Sequence, residues 1–463
     1  MNTRRKSRLV VSGLAVLAML ATTAACSSPA PSTPKETVDP KAPVTITIGG
    51  EPPTEQAESR QAYLDAIKVF MDAHPNITVQ PTEISWNVTT FPAMVAGGTL
   101  PTTMTVAVTD VLPLASRGQI ANLTNYVKGD TVLDGLNPAV ANLVRNAKGE
   151  TFGIPVSAWC VGLVYNRALF VQAGLDPNKP PTTWEQVREY AKQISEKTGQ
   201  AGFMSQTREN VGGFLLSSLS YAFGSELEKT DGDKTTATIN QSATKDALTM
   251  LQQMRWTDNS LGSNFLINVI DILNEFGAGH VGMMVTGADN YPDLVINRGL
   301  PPADYGLTVL PQVKGGIGAL GGGSVAIVSP TATPNQIAAA IEWNKYYYLG
   351  NYLNQDQAVT NAKAGAADGR PVGTPGIPVV SQQQYDTYRG WIKDYINVDA
   401  THFAPFMDNL KSVPIVIEPR VKTQELYAAL DPVVQAVLTQ QGADIGALLS
   451  AAEADINAII AAG

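Results

Sequence analysis

Cysteine, histidine and tryptophan are scarce: the 463 residues include two, three and six of them. Two cysteines, Cys26 and Cys160, exclude a disulfide framework, which small exported domains need and a chain of this length does not. His74, His280 and His402 stand far apart with no ligand spacing, so no metal site is expected. No cofactor motif is present either. Repeats, the usual mark of a surface scaffold, are absent. Long apolar runs are lacking too: Leu9 to Leu20, broken only by Ser12 and Gly13, is short of the roughly 20 residues that span a bilayer. Basic charge is in deficit, 32 Lys and Arg against 41 Asp and Glu, which argues against nucleic acid or anionic membrane surfaces as partners.

What is present begins with a leader. Arg4, Arg5, Lys6 and Arg8 precede the apolar run, and Ala21-Thr22-Thr23-Ala24-Ala25-Cys26 closes it. Residues 1–25 resemble a lipoprotein signal peptide, with Cys26 as the residue that would be lipidated after cleavage. Thr23 departs from that pattern, which usually has a branched apolar residue there. The Arg4-Arg5 pair hints at twin-arginine export. Without those four basic residues the balance is 28 against 41, a net charge of −13. Residues 26–42 contain Pro29, Pro31, Pro34 and Pro40 among small polar residues. Such a segment stays extended, about 3.1 Å per residue, and reads as a tether between membrane and body.

The remaining roughly 420 residues exceed one core and suggest two lobes. Val44, Ile46 and Ile48 alternate with Thr45 and Thr47, a strand pattern. Tyr63, Ile67 and Phe70 then recur at helical spacing up to Pro75. Asn76 to Val79 is strand-like, Phe91 to Ala96 helical, and Thr103 to Val108 a third strand. This order implies an α/β fold with a largely parallel sheet, ligands gathering at the carboxyl ends of its strands. Glu51 and Thr109-Asp110 would therefore share a rim. Further on, Thr151 to Val156 and Trp159 to Tyr165 are β-rich. Thr183 and Gln186 suggest a capping box. Thr244 to Met254 and Gln424 to Ala462 are helical in pattern, while Val281 to Val285 and Ser324 to Val328 are strands, the latter after six glycines within Gly315 to Gly323.

Several segments, in order, resemble the extracellular solute-binding proteins of ABC importers, specifically the sugar-binding branch that includes maltodextrin-binding protein. They are Gly98-Thr99-Leu100-Pro101 with Asp110; Gly153-Ile154-Pro155 through Val164-Tyr165-Asn166 to Phe170; and Ala173-Gly174-Leu175 with Pro180 to Trp184. Phe276 to Met284, then Tyr305-Gly306-Leu307 with Leu310-Pro311, complete the series. The resemblance implies a periplasmic-binding-protein-like α/β fold, two lobes with a hinge and an interlobe ligand cleft. Residues 43–156 plus 309–370 would form one lobe, and 157–308 plus 371–463 the other. Crossings would fall near Val156 to Ala158, Thr308 to Pro311 and Arg370 to Val372. It also implies an exported, lipid-anchored monomer on the outer face of the cytoplasmic membrane, whose partners are a small polar solute, a carbohydrate by family, and ABC permease subunits.

Sugars offer hydroxyls around an apolar ring face, so a site needs aromatic plates and a few carboxylates or amides. Trp159 and Trp86 are the plate candidates, each with a core tryptophan as its bland alternative. Glu51, Thr109 and Asp110 could bind hydroxyls or be ordinary loop residues. Asp289, Asn290 and Tyr291 stand where sugar-binding relatives usually carry a stacking ring. Gly323 and Ser324 would bring backbone amides to the cleft, and Arg420 could serve an anionic group or a surface ion pair. Catalytic signatures are weak. Gly322-Gly323-Ser324-Val325-Ala326 lacks the closing glycine and the strand-turn-helix context of a nucleophile elbow, and Ser242-Ala243-Thr244-Lys245 with Lys197-Thr198-Gly199 runs in the reverse order for a penicillin-binding enzyme.

Overall fold

The computed structural model describes residues 38–232 and 234–462. Cys26, the leader and the tether up to Thr37 therefore lie outside the described residues. Twelve strands are described: β1 (Val44–Ile48), β2 (Ile77–Pro81), β3 (Thr103–Ala107), β4 (Ile154–Pro155), β5 (Trp159–Asn166), β6 (Glu228–Asp231), β7 (Lys234–Ala237), β8 (Met283–Gly287), β9 (Tyr305–Val309), β10 (Ala319–Gly322), β11 (Ser324–Val328) and β12 (Ile415–Ile417).

They build two five-stranded sheets and one hairpin. The first sheet runs β2-β1-β3-β11-β4; the second runs β12-β10-β5-β8, with β9 also on β5; β6 and β7 pair with each other. Strand β1 lies parallel to β2 and β3, as its alternation and the intervening helices Ala57–Ala73 and Phe91–Gly97 require. Ile46 and Ile48 are buried against Tyr63, Ile67 and Phe70. Strand β5 is apolar and buried along nearly its whole length, because neighbours cover both its edges and helices its faces.

Two of the expected crossings move. The first, Val156 to Ala158, does separate β4 of one sheet from β5 of the other. Thr308 to Pro311 does not leave the second sheet, since β9 pairs with Gly162 to Asn166 and Leu307 and Leu310 are buried in the same core. The return instead passes through Gly323, between β10 and β11. Arg370 to Val372 is not followed by entry into the second core. Val379, Val380 and Tyr385 pack with Ile154 and Ala326 of the first sheet, held by Tyr352 against Tyr385 and Tyr388. The chain rejoins the second core at Val398 and Phe403. At Thr183 the hydroxyl accepts the Gln186 amide, but the Gln186 side chain reaches Thr182 rather than Thr183, so the capping box is displaced by one residue.

Candidate functional site

At the carboxyl end of β1 the chain turns through Gly49 and Gly50. A Cβ on Gly49 would meet the Ile84 carbonyl at 2.7 Å and Met104 at 2.8 Å, and Gly50 holds a left-handed φ of 87°. The turn sets the buried Glu51 carboxylate 2.7 Å from Arg60, whose guanidinium also reaches Glu83 at 2.6 Å. Trp86 is half-buried, with its ring edge to face with Phe91 at 5.0 Å. Both groups on this rim already have structural partners.

Thr109 and Asp110 lie in the first turn of the helix Val108–Ser116 rather than in a loop. The Thr109 hydroxyl donates across to Glu418 at 3.5 Å. Glu418 follows β12, a strand of the second sheet, and also accepts from the Tyr427 hydroxyl at 3.0 Å. This contact joins the two sheets' rims. Burial holds the Glu418 carboxyl above its ordinary range, opposed by those two hydroxyls. Asp110 is likewise raised, first by burial and then by the Glu418 charge, with Arg117 opposing. Among the described residues neither carboxylate forms an ion pair.

Trp159 opens β5, half-buried, with Phe214 6.4 Å from its ring. With Asp289, Pro375 and Ile377 it lines a cavity of about 220 Å³. Asp289 is exposed at that cavity, and Asn290 donates to Thr286 at 2.6 Å. Tyr291 is not a cleft plate. It is 3% exposed and packs edge to face on Tyr305 and Phe403, at the start of the helix Tyr291–Asn297. Cys160, buried beside Trp159, has its thiol pushed up to about 12 by burial.

The glycine run has a different use from the one expected. A Cβ on Gly322 would sit 2.9 Å from the Trp159 ring, and one on Gly323 2.1 Å from the Ser157 carbonyl. The glycines let the two crossing strands touch. There the Ser324 N–H donates to the Ser157 hydroxyl at 3.0 Å, and the Gly323 carbonyl accepts from Val108. These groups are thus engaged within the crossing. The Arg420 side chain is exposed, and its backbone N–H donates to Glu228 at 2.7 Å.

Glu418, Tyr427 and Phe214 were not marked by any sequence motif. They meet only because helix Val211–Phe223 and helix Thr423–Thr439 pack together. A larger cavity of about 460 Å³, lined by Tyr126, Asp130, Ala339 and Glu342, shares none of these residues. Of its three carboxylates, Asp39, Asp130 and Glu342, the last two are both bound to Lys345, at 2.7 and 2.8 Å. The junction of the two sheets is thus the better candidate.

Residues 51–349 match the family described as bacterial extracellular solute-binding protein. A binding protein of Brucella abortus is 24% identical over 259 residues, 54% of this chain and 59% of that one, so the chain spans less than two thirds of that relative's length. Two solved structures share the fold. The cyclic alpha-maltosyl-1,6-maltose binding protein of Arthrobacter globiformis has a TM-score of 0.67 at 21% identity, covering 91% of this chain and 100% of that one. UgpB of Mycobacterium tuberculosis in complex with glycerophosphocholine has a TM-score of 0.65 at 16% identity, covering 90% and 99%.

Proposed function

The chain belongs to the bacterial extracellular solute-binding proteins, and on that premise we propose that it captures a carbohydrate or sugar derivative between two lobes and delivers it to an ABC permease. The observation that carries this reading is the junction itself. Thr109 from one rim and Glu418 from the other meet there, with Trp159, Phe214 and Tyr427 beside them. Such a group supplies hydroxyl-binding oxygens and apolar ring faces together. A solute touching both rims favours the closed form by its differential affinity, and closure is what the importer reads. No bond is made or broken.

The lobes of this reading comprise residues 43–156 with 324 to about 391, and 157–323 with the rest, following the sheets and their cores. Export, cleavage before Cys26 and lipidation of that residue would hold the body at the outer face of the cytoplasmic membrane. Mass spectrometry of membrane-extracted protein tests the anchor: a diacylglyceryl mass on Cys26 supports it, and a soluble mature chain refutes it.

A thermal-shift screen with maltose, maltotriose, acarbose, tagatose and glycerophosphocholine tests capture. A solute at 100 times its dissociation constant stabilises by about 2.7 kcal/mol, and X-ray scattering with that solute should show compaction. Silence across a broad panel would overturn the reading. A glycerophosphodiester is the second solute class. It is favoured by the exposed Arg420, two residues beyond Glu418, and by the solute named for the UgpB structure.

A further inference from the structure

Between Thr207 and Gly213 the backbone is strained. Glu209 and Asn210 both adopt left-handed conformations, with φ of 63° and 70°, a region that side chains other than glycine's seldom occupy. Two such residues in succession persist only where their surroundings over-determine them.

The surroundings here are specific. Asp431 is buried in the helix Thr423–Thr439. One of its carboxylate oxygens accepts the N–H of Asn210 and the other that of Gly213, each at 2.8 Å. One turn further on, Gln435 donates to the Thr207 carbonyl at 2.7 Å. The Asn210 side chain donates to Gln424 at 3.0 Å. Gly212 and Gly213 permit the approach, because a Cβ on Gly213 would lie 2.4 Å from Tyr427 Cα and one on Gly212 2.8 Å from Asp431.

An ordinary helix caps itself with the side chain that precedes it. Asn210 occupies that place before Val211–Phe223 but makes no such bond. The Asn210 amide is taken instead by a carboxylate 221 residues away, while the Glu209 carboxylate accepts from the Asn268 side chain at 3.1 and 3.2 Å. The helix so held carries Phe214 to Trp159 and Tyr427, whose hydroxyl reaches Glu418.

We propose that Asp431 is a positioning residue for solute capture: by holding the strained Glu209–Asn210 turn and the Gly213 amide it fixes the start of the helix that sets Phe214 against Trp159 and Tyr427 at the junction, and it sets affinity without touching the solute. This rests on the capture reading above.

The test uses the full mature chain, with maltotriose and glycerophosphocholine as probes. Asn210→Gly relieves the strain and keeps the backbone amides that Asp431 holds. The expected result is an equal or higher Tm with unchanged affinity for whichever probe binds the wild-type protein. Weaker binding by that variant at an equal or higher Tm would mean that the Asn210 side chain, rather than the held helix, sets affinity, and would overturn the proposal. Asp431→Asn should speed hydrogen exchange in peptides covering residues 207–215 and weaken binding at least ten-fold; unchanged exchange or unchanged affinity overturns it as well. If neither probe binds the wild-type protein, capture of these solutes falls and the proposal falls with it.

Discussion

On the first sheet's rim, Glu51 is settled against Arg60 and Trp86 against Phe91. On the facing rim, Glu418 is half-buried, bonded to two hydroxyls and to no cation among the described residues, and Trp159 borders an open cavity. The first rim's candidates stabilise the fold, whereas the second keeps polar and aromatic groups partly unspent. Desolvating a carboxylate is costly, and the two hydroxyls bonded to Glu418 offset part of that cost. The proposed reading therefore assigns recognition to the second rim, with Thr109 and Asp110 as the first rim's contribution.

Removing a core group on the second half should have the largest effect. Tyr291→Ala should destabilise by about 3–5 kcal/mol, the usual cost of emptying a buried aromatic site, read from denaturant unfolding. Tyr291→Phe should leave solute affinity unchanged; weaker binding by that variant at unaltered Tm would return Tyr291 to the rim.

Next comes the crossing. Gly323→Ala drives a Cβ into the Ser157 carbonyl and should cost about 1–3 kcal/mol, as overpacking does. It should also alter the compaction that scattering reads on solute addition. An alanine variant indistinguishable from wild type in both would show that the crossing strands are not in tight contact.

The two tryptophans sharpen the comparison directly. Trp159→Ala should lose about 1.5–3 kcal/mol of solute affinity, the scale for a buried apolar side chain, by calorimetry. Trp86→Ala should chiefly lower Tm, since its ring packs on Phe91. Reversed outcomes would exchange the roles of the rims.

The smallest effect concerns pH. Glu418 and Asp110 have carboxyls raised by burial in the fold, so the folded chain binds their protons more tightly than the unfolded chain does. Their contribution to stability is therefore greatest below the ordinary carboxylate range and is lost as pH rises through the raised values. Glu418→Gln, which is always neutral, should raise Tm modestly at pH 7. That gain should vanish toward about pH 4, where unperturbed carboxyls protonate. A gain that persists there would point to packing rather than charge.

Local pattern revealed much of this architecture. The alternation of Val44, Ile46 and Ile48, the continuous apolar run of β5, and the ordered series from Gly98 to Pro311 were enough to indicate an α/β body of this family. Asp110 was singled out because it follows the carboxyl end of β3, where such sheets bind ligands, and Trp159 because it stands beside the first crossing; both are candidates of the proposed reading. Other expectations failed where one residue's environment depends on distant chain. Tyr291 looked available until Phe403 and Tyr305 enclosed it. Thr308 to Pro311 looked like a crossing until β9 added to β5.

By itself the amino-acid sequence determined the element types, the family and the acidic, cysteine-poor character of the chain, because these follow from spacing and composition within short windows. Only the tertiary structure decided that Glu418 meets Thr109 across 309 residues of chain, that Asp431 anchors Asn210, and that Gly323 is where the sheets exchange strands. Such contacts depend on how helices and sheets pack, and the sequence around each partner carries no local signature of the other.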